Sequence, residues 1–532
     1  SGGGKTTLLQ ALQGTAPADQ GQVELDGRDF HQQLQQKPGL AGDVPQDDLV
    51  LPELTVQETL EAAAELRFAT DRAQRDRAVE RVLQELDLGH IRHSRIGDAL
   101  RRGISGGQRK RINLGQELLG DDTRVLFLDE PTSGLDPQAS QDILQKVRQL
   151  ADQGRIVILV THDLSPEIVA QVDHLLVLAR GGQLAFFGPP SEACAWFSVG
   201  TPDAIFHRLK DRPPAEWAAL YRQSEVAKMW GETRSAAREL GFLGGASQGD
   251  AAAEPPARPS PLAQLRTLVR RYTKTKLRDR TGLLILAAQP PVLAGGLVVL
   301  YPGVAAGSIF ILTLSCMWFG MSGAVRELIA DRVLWRRERR LGLGVGPYLG
   351  SKVLVLGVIT ALQCAVMLGL CWVPNHYAEN GFDPMSLLLV CTLTGWAGMG
   401  LALVVGALWN SSEAAVGSLP ILLVPQILFS SILVSLRSMD PFSKALSWLT
   451  LQRYALDAAL KSGKQVQQAS TWSTEWERRE LNGALYQLGL KPENPDDPGL
   501  PWGLLVGALG GWATLFLGLA TLLIWSKGRP RR

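Results

Sequence analysis

Six apolar runs, at 281–300, 308–325, 353–373, 385–409, 414–436 and 501–525, contain no aspartate, glutamate, lysine or arginine. Each is close to the ~20 residues that cross a ~30 Å hydrocarbon core as a helix. In lipid every backbone N–H and C=O must be paired internally, so runs this long and apolar predict helices. The sequence thus predicts a multi-pass, all-α six-helix domain over 262–532. Pro290, Pro291, Pro420 and Pro425 fall inside these runs. Each frees a carbonyl that only a neighbouring helix can satisfy, which places their spans toward the bundle interior.

Orientation follows from basic residues in the short flanks. Arg266, Arg270, Arg271, Lys274, Lys276, Arg278 and Arg280 precede the first run, and Arg326, Arg332, Arg336, Arg337, Arg339, Arg340 and Lys352 lie between the second and third. Lys527, Arg529, Arg531 and Arg532 follow the last, whereas 301–307 and 374–384 have no Lys or Arg. Both ends are therefore expected on the cytoplasmic side, with 437–500 as a long outer loop. The chain of 532 residues carries a formal charge of only +2, so no strong field points to nucleic acid. Of five cysteines, Cys316, Cys364, Cys371 and Cys391 lie in apolar runs and only Cys194 lies elsewhere, so no outer loop offers a disulfide pair.

The first ~200 residues alternate short β-branched runs with helical patterns, the signature of a parallel α/β domain. Residues 124–129 and 155–161 read as buried parallel strands, 58–68 and 76–88 as amphipathic helices, and 175–178 with 184–187 as an edge hairpin. A helical extension is expected from 201. It ends in a disordered linker at 244–261, made only of small, polar and proline residues.

Ser1, Gly2, Gly3, Gly4, Lys5, Thr6 and Thr7 form the tail of a phosphate-binding loop. Glycines let backbone N–H groups face phosphates, Lys5 reaches the β/γ-phosphates and the Thr6 hydroxyl holds Mg²⁺. The motif's first glycine would stand before Ser1, so the chain is expected to start inside the motif and to lack its first strand. Four apolar residues, 125–128, then deliver Asp129 and Glu130 to the end of a strand, where open α/β sheets bind ligands. Asp129 is expected to hold Mg²⁺ and Glu130 to polarise a water. His162 closes the next strand and can reach a γ-phosphate. Gln46, in a Val-Pro-Gln-Asp-Asp stretch, says little alone.

With Ile104-Ser105-Gly106-Gly107-Gln108 the ordered set resembles the ATP-binding-cassette family. Phosphate loop, Gln46, signature, 125–130, the loop 133–136 and His162 follow in that family's order. An ATPase ahead of its membrane domain, and Arg109-Lys110-Arg111 after the signature, resemble White-type (ABCG) half-transporters and bacterial relatives with ABC-2-type permeases. Gly-Gly-Gln instead of Gly-Gly-Glu favours a bacterial relative, hence the bacterial inner membrane. The resemblance implies ATP and Mg²⁺ as cofactors, Gln46 at the metal and in catalysis beside Glu130 and His162, and Asp136 at the nucleotide. It also implies that Ser105, Gly106, Gly107 and Gln108 complete a partner subunit's site, so a second copy or a paralogous half-transporter is required. It likens 326–352 to a coupling helix. No charge interrupts the spans, so an apolar or amphipathic, lipid-like cargo is expected, exported past Trp318, Phe319, Trp396, Gln426 and Phe429. An importer half and a membrane-bound regulatory ATPase are the alternatives.

Overall fold

The computed structural model describes residues 3–16, 18–68, 72–98, 103–120, 122–229, 259–430, 432–433, 439–463 and 500–527. The chain divides into two compact units. The first is Ser1–Thr267 with Arg336–Leu343, and the second is Leu268–Trp335 with Gly344–Gly528.

In the first unit, helix α1 (Lys5–Leu12) precedes a short antiparallel pair, β1 (Glu24–Leu25) and β2 (Arg28–Asp29). A parallel sheet follows, ordered β3 (Ala41–Val44), β4 (Val125–Asp129), β5 (Ile156–Val160). Alternation along β4 sends Val125 and Phe127 into one cluster with Leu9 and Phe30. Leu126 and Leu128 join the other, with Leu60, Val82 and Ile112. β4 is thus buried on both faces, as its apolar run predicts. β5 is not: Ile156 is 45% exposed, because β5 is hydrogen-bonded to β4 alone among the described strands.

The helical periodicities resolve as α2 (Val56–Arg67) and α3 (Arg72–Glu85). Thr55 and Glu58 close a capping box on α2, the reciprocal pair that fixes a helix start. Helix α4 (Gly106–Leu118) leads into β4, and α5 (Pro137–Asp152) joins β4 to β5. The hairpin forms as β6 (Leu175–Ala179) and β7 (Gln183–Gly188), turning through Gly181 and Gly182 at positive φ. Residues 244–258 of the expected linker lie outside the described residues. Pro261, its last residue, already opens helix α6 (Pro261–Arg278).

Among the described residues of the second unit, five helices are long and apolar enough to cross a membrane. The first two are α7 (Arg280–Leu300) and α8 (Ala306–Ala324). After the short α9 (Arg332–Arg340), whose residues from Arg336 onward belong to the first unit, come α10 (Val345–Trp372) and α11 (Pro384–Leu408). The fifth expected span is not one helix. Pro420 cannot donate within a helix and fits only its first turn, so the chain breaks at Ser418 and restarts as α12 (Leu419–Leu428). Residues 431 and 434–436 of that span lie outside the described residues. The expected outer loop at 437–500 contains a packed helix. Helix α13 (Leu451–Lys461) is buried nearly along its whole length, against α8, α11 and α14 (Trp502–Lys527).

Small residues bring α8 and α11 together, as in other lipid-embedded bundles. A Cβ on Gly320 would stand 1.9 Å from the Gly395 carbonyl oxygen. Pro290 removes the donor to the Leu286 carbonyl, and Gln363 of α10 replaces it at 2.7 Å. Two residues expected to face cargo are engaged elsewhere. Phe319 is fully buried in the core, and the Gln426 side-chain oxygen accepts from the Gln452 backbone N–H.

Candidate functional site

At the start of α1, Gly4 has φ 78°, a left-handed turn that a side chain resists. A Cβ there would meet the Gly182 Cα at 3.2 Å, so the turn backs closely onto the β6–β7 hairpin. Lys5 then opens α1, whose unpaired N–H groups suit an anion. Thr6 and Thr7 are exposed beside it. Ser1 and Gly2, expected in the same loop, lie outside the described residues.

Three strand ends supply the rest. Glu130, just past β4, holds φ 48°, a costly conformation for a residue with a side chain. Its N–H donates to the Val160 carbonyl and its own carbonyl accepts from Ser133, so both sides of the turn are fixed. Gln46, beyond β3, donates from Nε2 to Glu130 Oε2 at 3.0 Å. His162, beyond β5, places Nδ1 3.1 Å from Glu130 Oε1. The Thr161 and Asp163 side chains accept from the backbone N–H groups of Asp163 and Ser165 and shape the His162 turn. Three residues spread over 117 positions of sequence thus meet at one carboxylate.

Burial, then the Glu130 and Asp43 carboxylates, push the Asp129 carboxyl above the usual range, and Lys5 opposes them. A carboxylate crowded in this way favours a cation. Among the described residues no three His, Cys, Asp or Glu side chains gather closely enough to hold a metal alone. Mg²⁺ takes one or two carboxylates and completes its shell with phosphate and water. Asp129 and the exposed Thr6 carry the oxygen donors such an ion takes, and the Gln46 contact with Glu130 uses its Nε2 and not its side-chain oxygen.

The signature forms a separate group. Ser105 caps α4, and Ser105 and Gln108 bond reciprocally at 3.2 and 2.9 Å. Added Cβ atoms on Gly106 and Gly107 would come within 3.0 Å of the Leu135 and Ala139 side chains. Asp136 caps α5, accepting from the Ala139 N–H at 2.9 Å. No hydrogen bond among the described residues joins 105–108 or Asp136 to the turn at 3–7.

Several functional neighbours escape a motif reading. Lys110 donates to the Gln46 carbonyl and pairs with Asp48 at 3.3 Å. Asn113 also donates to Asp48, at 3.0 Å, so the signature helix braces the loop that carries Gln46. The Arg109-Lys110-Arg111 run is the only sequence trace of this. The segment Arg336–Leu343 packs within the same unit: Arg337 pairs at 2.5 Å with the buried Glu117, and Arg340 at 2.6 Å with Asp43.

The ABC transporter family matches residues 1–133, and the ABC-2 type transporter family matches residues 263–462. The ABC transporter ATP-binding/permease protein Rv1747 of Mycobacterium tuberculosis is 31% identical over 481 residues, 86% of this chain and 53% of its own length. ABC transporter G family member 28 of Arabidopsis thaliana is 37% identical over 244 residues, covering 43% and 22%. ABC transporter G family member STR2 of Petunia hybrida is 40% identical over 196 residues, covering 36% and 26%. The chain spans about half of the first relative's length and about a quarter of each plant relative's.

Proposed function

An ATP-binding-cassette ATPase domain and an ABC-2-type membrane domain share this one chain, and from that premise we propose that it is one half of a dimeric, ATP-hydrolysing membrane transporter. The observation that carries the proposal is the convergence of Gln46 and His162 on Glu130, in a chain with five membrane-length helices among its described residues. ATP is the substrate of the first unit. Its β- and γ-phosphates lie against the N-terminus of α1, with Lys5 neutralising them. Mg²⁺, when bound, spreads the charge that builds on the phosphate oxygens, and Thr6, Asp129 and Gln46 would hold it.

Glu130 orients a water toward the γ-phosphate and takes its proton. Gln46 and His162 hold both carboxylate oxygens, so the base does not swing away. The strained backbone at Glu130 helps by presenting the side chain at the strand end rather than along it. Ser105, Gly106 and Gly107 serve a partner's phosphate loop, which is why two chains are needed. The partner is a second copy or a paralogous half-transporter. Basic flanks favour a cytoplasmic ATPase unit at a bacterial inner membrane, and uncharged spans favour outward movement of an apolar or amphipathic, lipid-like cargo.

The test is the full chain reconstituted in proteoliposomes with fluorescent phospholipids. ATP-dependent lipid movement that disappears in Glu130→Gln is the expected result. Hydrolysis without lipid movement would remove the lipid-like cargo, and no hydrolysis above that of Glu130→Gln would remove the transporter mechanism.

A further inference from the structure

Asp43 belongs to none of the motifs above, yet it sits beside them. In the parallel register Asp43 faces Phe127, and Val44 faces Leu128. Side chains alternate along both strands, so Asp43 and Asp129 emerge on one face of the sheet as diagonal neighbours, about 7–8 Å apart by ordinary sheet spacing. Asp43 is held from two sides. Gln13, just past α1, donates to Oδ1 at 2.7 Å, and Arg340 donates to Oδ2 at 2.6 Å.

We infer that Asp43 and Arg340 form a charge pair that sets the divalent-cation affinity of the ATPase site. With Arg340 seated, the negative charge of Asp43 is partly offset as seen from Asp129. With Arg340 gone, Asp43 adds a full negative charge behind the metal position. Asp43 is a positioning residue in this scheme, since it acts on the metal through space and touches no reacting atom. Arg340 arrives on the segment Arg336–Leu343, which lies in sequence between two stretches of the membrane unit. The strength of metal binding therefore depends on whether that segment is seated. This inference rests on the ATPase reading of Lys5, Asp129 and Glu130.

The experiment measures Mn²⁺ binding by electron paramagnetic resonance, on the detergent-purified full chain with a non-hydrolysable ATP analogue. Arg340→Gln should tighten Mn²⁺ about threefold, and Asp43→Asn should weaken it by about the same factor, for one unit charge at this distance in a partly solvated site. The double variant restores neutrality and should return near wild type, as should Arg340→Lys. Raising the salt concentration should shrink both shifts. A merely structural role would weaken binding in both single variants. Shifts of the same sign, or none, would overturn the inference while leaving the ATPase site intact. Failure of the wild-type chain to bind Mn²⁺ with nucleotide would overturn the ATPase reading, and this inference with it.

Discussion

The Gln46 amide and the Glu130 carboxylate meet at 3.0 Å although 84 residues separate them in sequence. Glu130→Gln keeps the shape and removes the proton acceptor. Nucleotide binding should remain near wild type, while phosphate release falls by about a hundredfold or more, the range for loss of a general base. Gln46→Ala frees one carboxylate oxygen and should cost less, about tenfold. Equal losses in the two variants would mean that Gln46 does more than orient Glu130.

Asp129 provides a case in which function and stability oppose each other. Its carboxyl is raised, chiefly by burial and then by Glu130, so the metal-free folded state holds the proton more tightly than the unfolded chain does. That contribution is complete below the unfolded-state value and is lost as pH rises through the folded-state value. At pH 7 the ionised group therefore weakens the metal-free fold. Asp129→Asn should raise the melting temperature without nucleotide by about 1 °C and abolish the additional stabilisation by Mg-ATP. Thermal scans with and without Mg-ATP read both effects.

Arg337 and Glu117 form a buried pair, their side chains 9% and 2% exposed. Removing one partner strands a charge. Arg337→Met should destabilise the first unit by about 3 kcal/mol, whereas Arg337→Met with Glu117→Leu should recover most of that loss. Denaturant titration of both variants distinguishes a stranded charge from lost packing.

The signature and the phosphate turn share no hydrogen bond among the described residues of one chain. Lys5→Ala spoils a chain's own site, and Gly106→Asp spoils its partner's by placing a carboxylate against phosphate. Co-expressed in equal amounts, the two should yield about a quarter of wild-type hydrolysis, because half the dimers are mixed and each keeps one whole site. Activity no higher than either variant alone would argue against shared sites.

Gly320 and Gly510 give contrasting expectations. A Cβ on Gly320 runs into the Gly395 backbone, and one on Gly510 meets nothing within 4 Å. Gly320→Ala should collapse the yield of monodisperse protein in detergent, and Gly510→Ala should leave it unchanged. Size-exclusion profiles separate the two.

How much of this is legible in the sequence depends on how locally the cause acts. β4 and its two carboxylates are plain, because burial on both faces demands an unbroken apolar run and a strand end presents the side chains just beyond it. The hairpin is plain too, since paired glycines leave the backbone little alternative. Helix α13 is not. Its Arg453, Asp457 and Lys461 read as solvent residues, and only the packing of α8, α11 and α14 around it reveals the burial. The halt before α12 is half visible: Pro420 signals a break, but a break and a kink look alike in sequence. Asp43 carries no mark, for a lone aspartate beside a glycine acquires meaning only from the strand paired with it and from an arginine 297 residues later.

The bond from Gln363 to the Leu286 carbonyl has a mechanical consequence. The acceptor exists because Pro290 cannot fill it, and within hydrocarbon an abandoned carbonyl costs several kcal/mol. α7 and α10 are thus latched at the level of the kink. A motion that slid one along the other would have to open the latch or supply a new donor, whereas a motion that carried both together would cost nothing there. If the membrane unit changes shape as it works, these two helices are expected to travel as one rigid lever, and the bending to occur elsewhere.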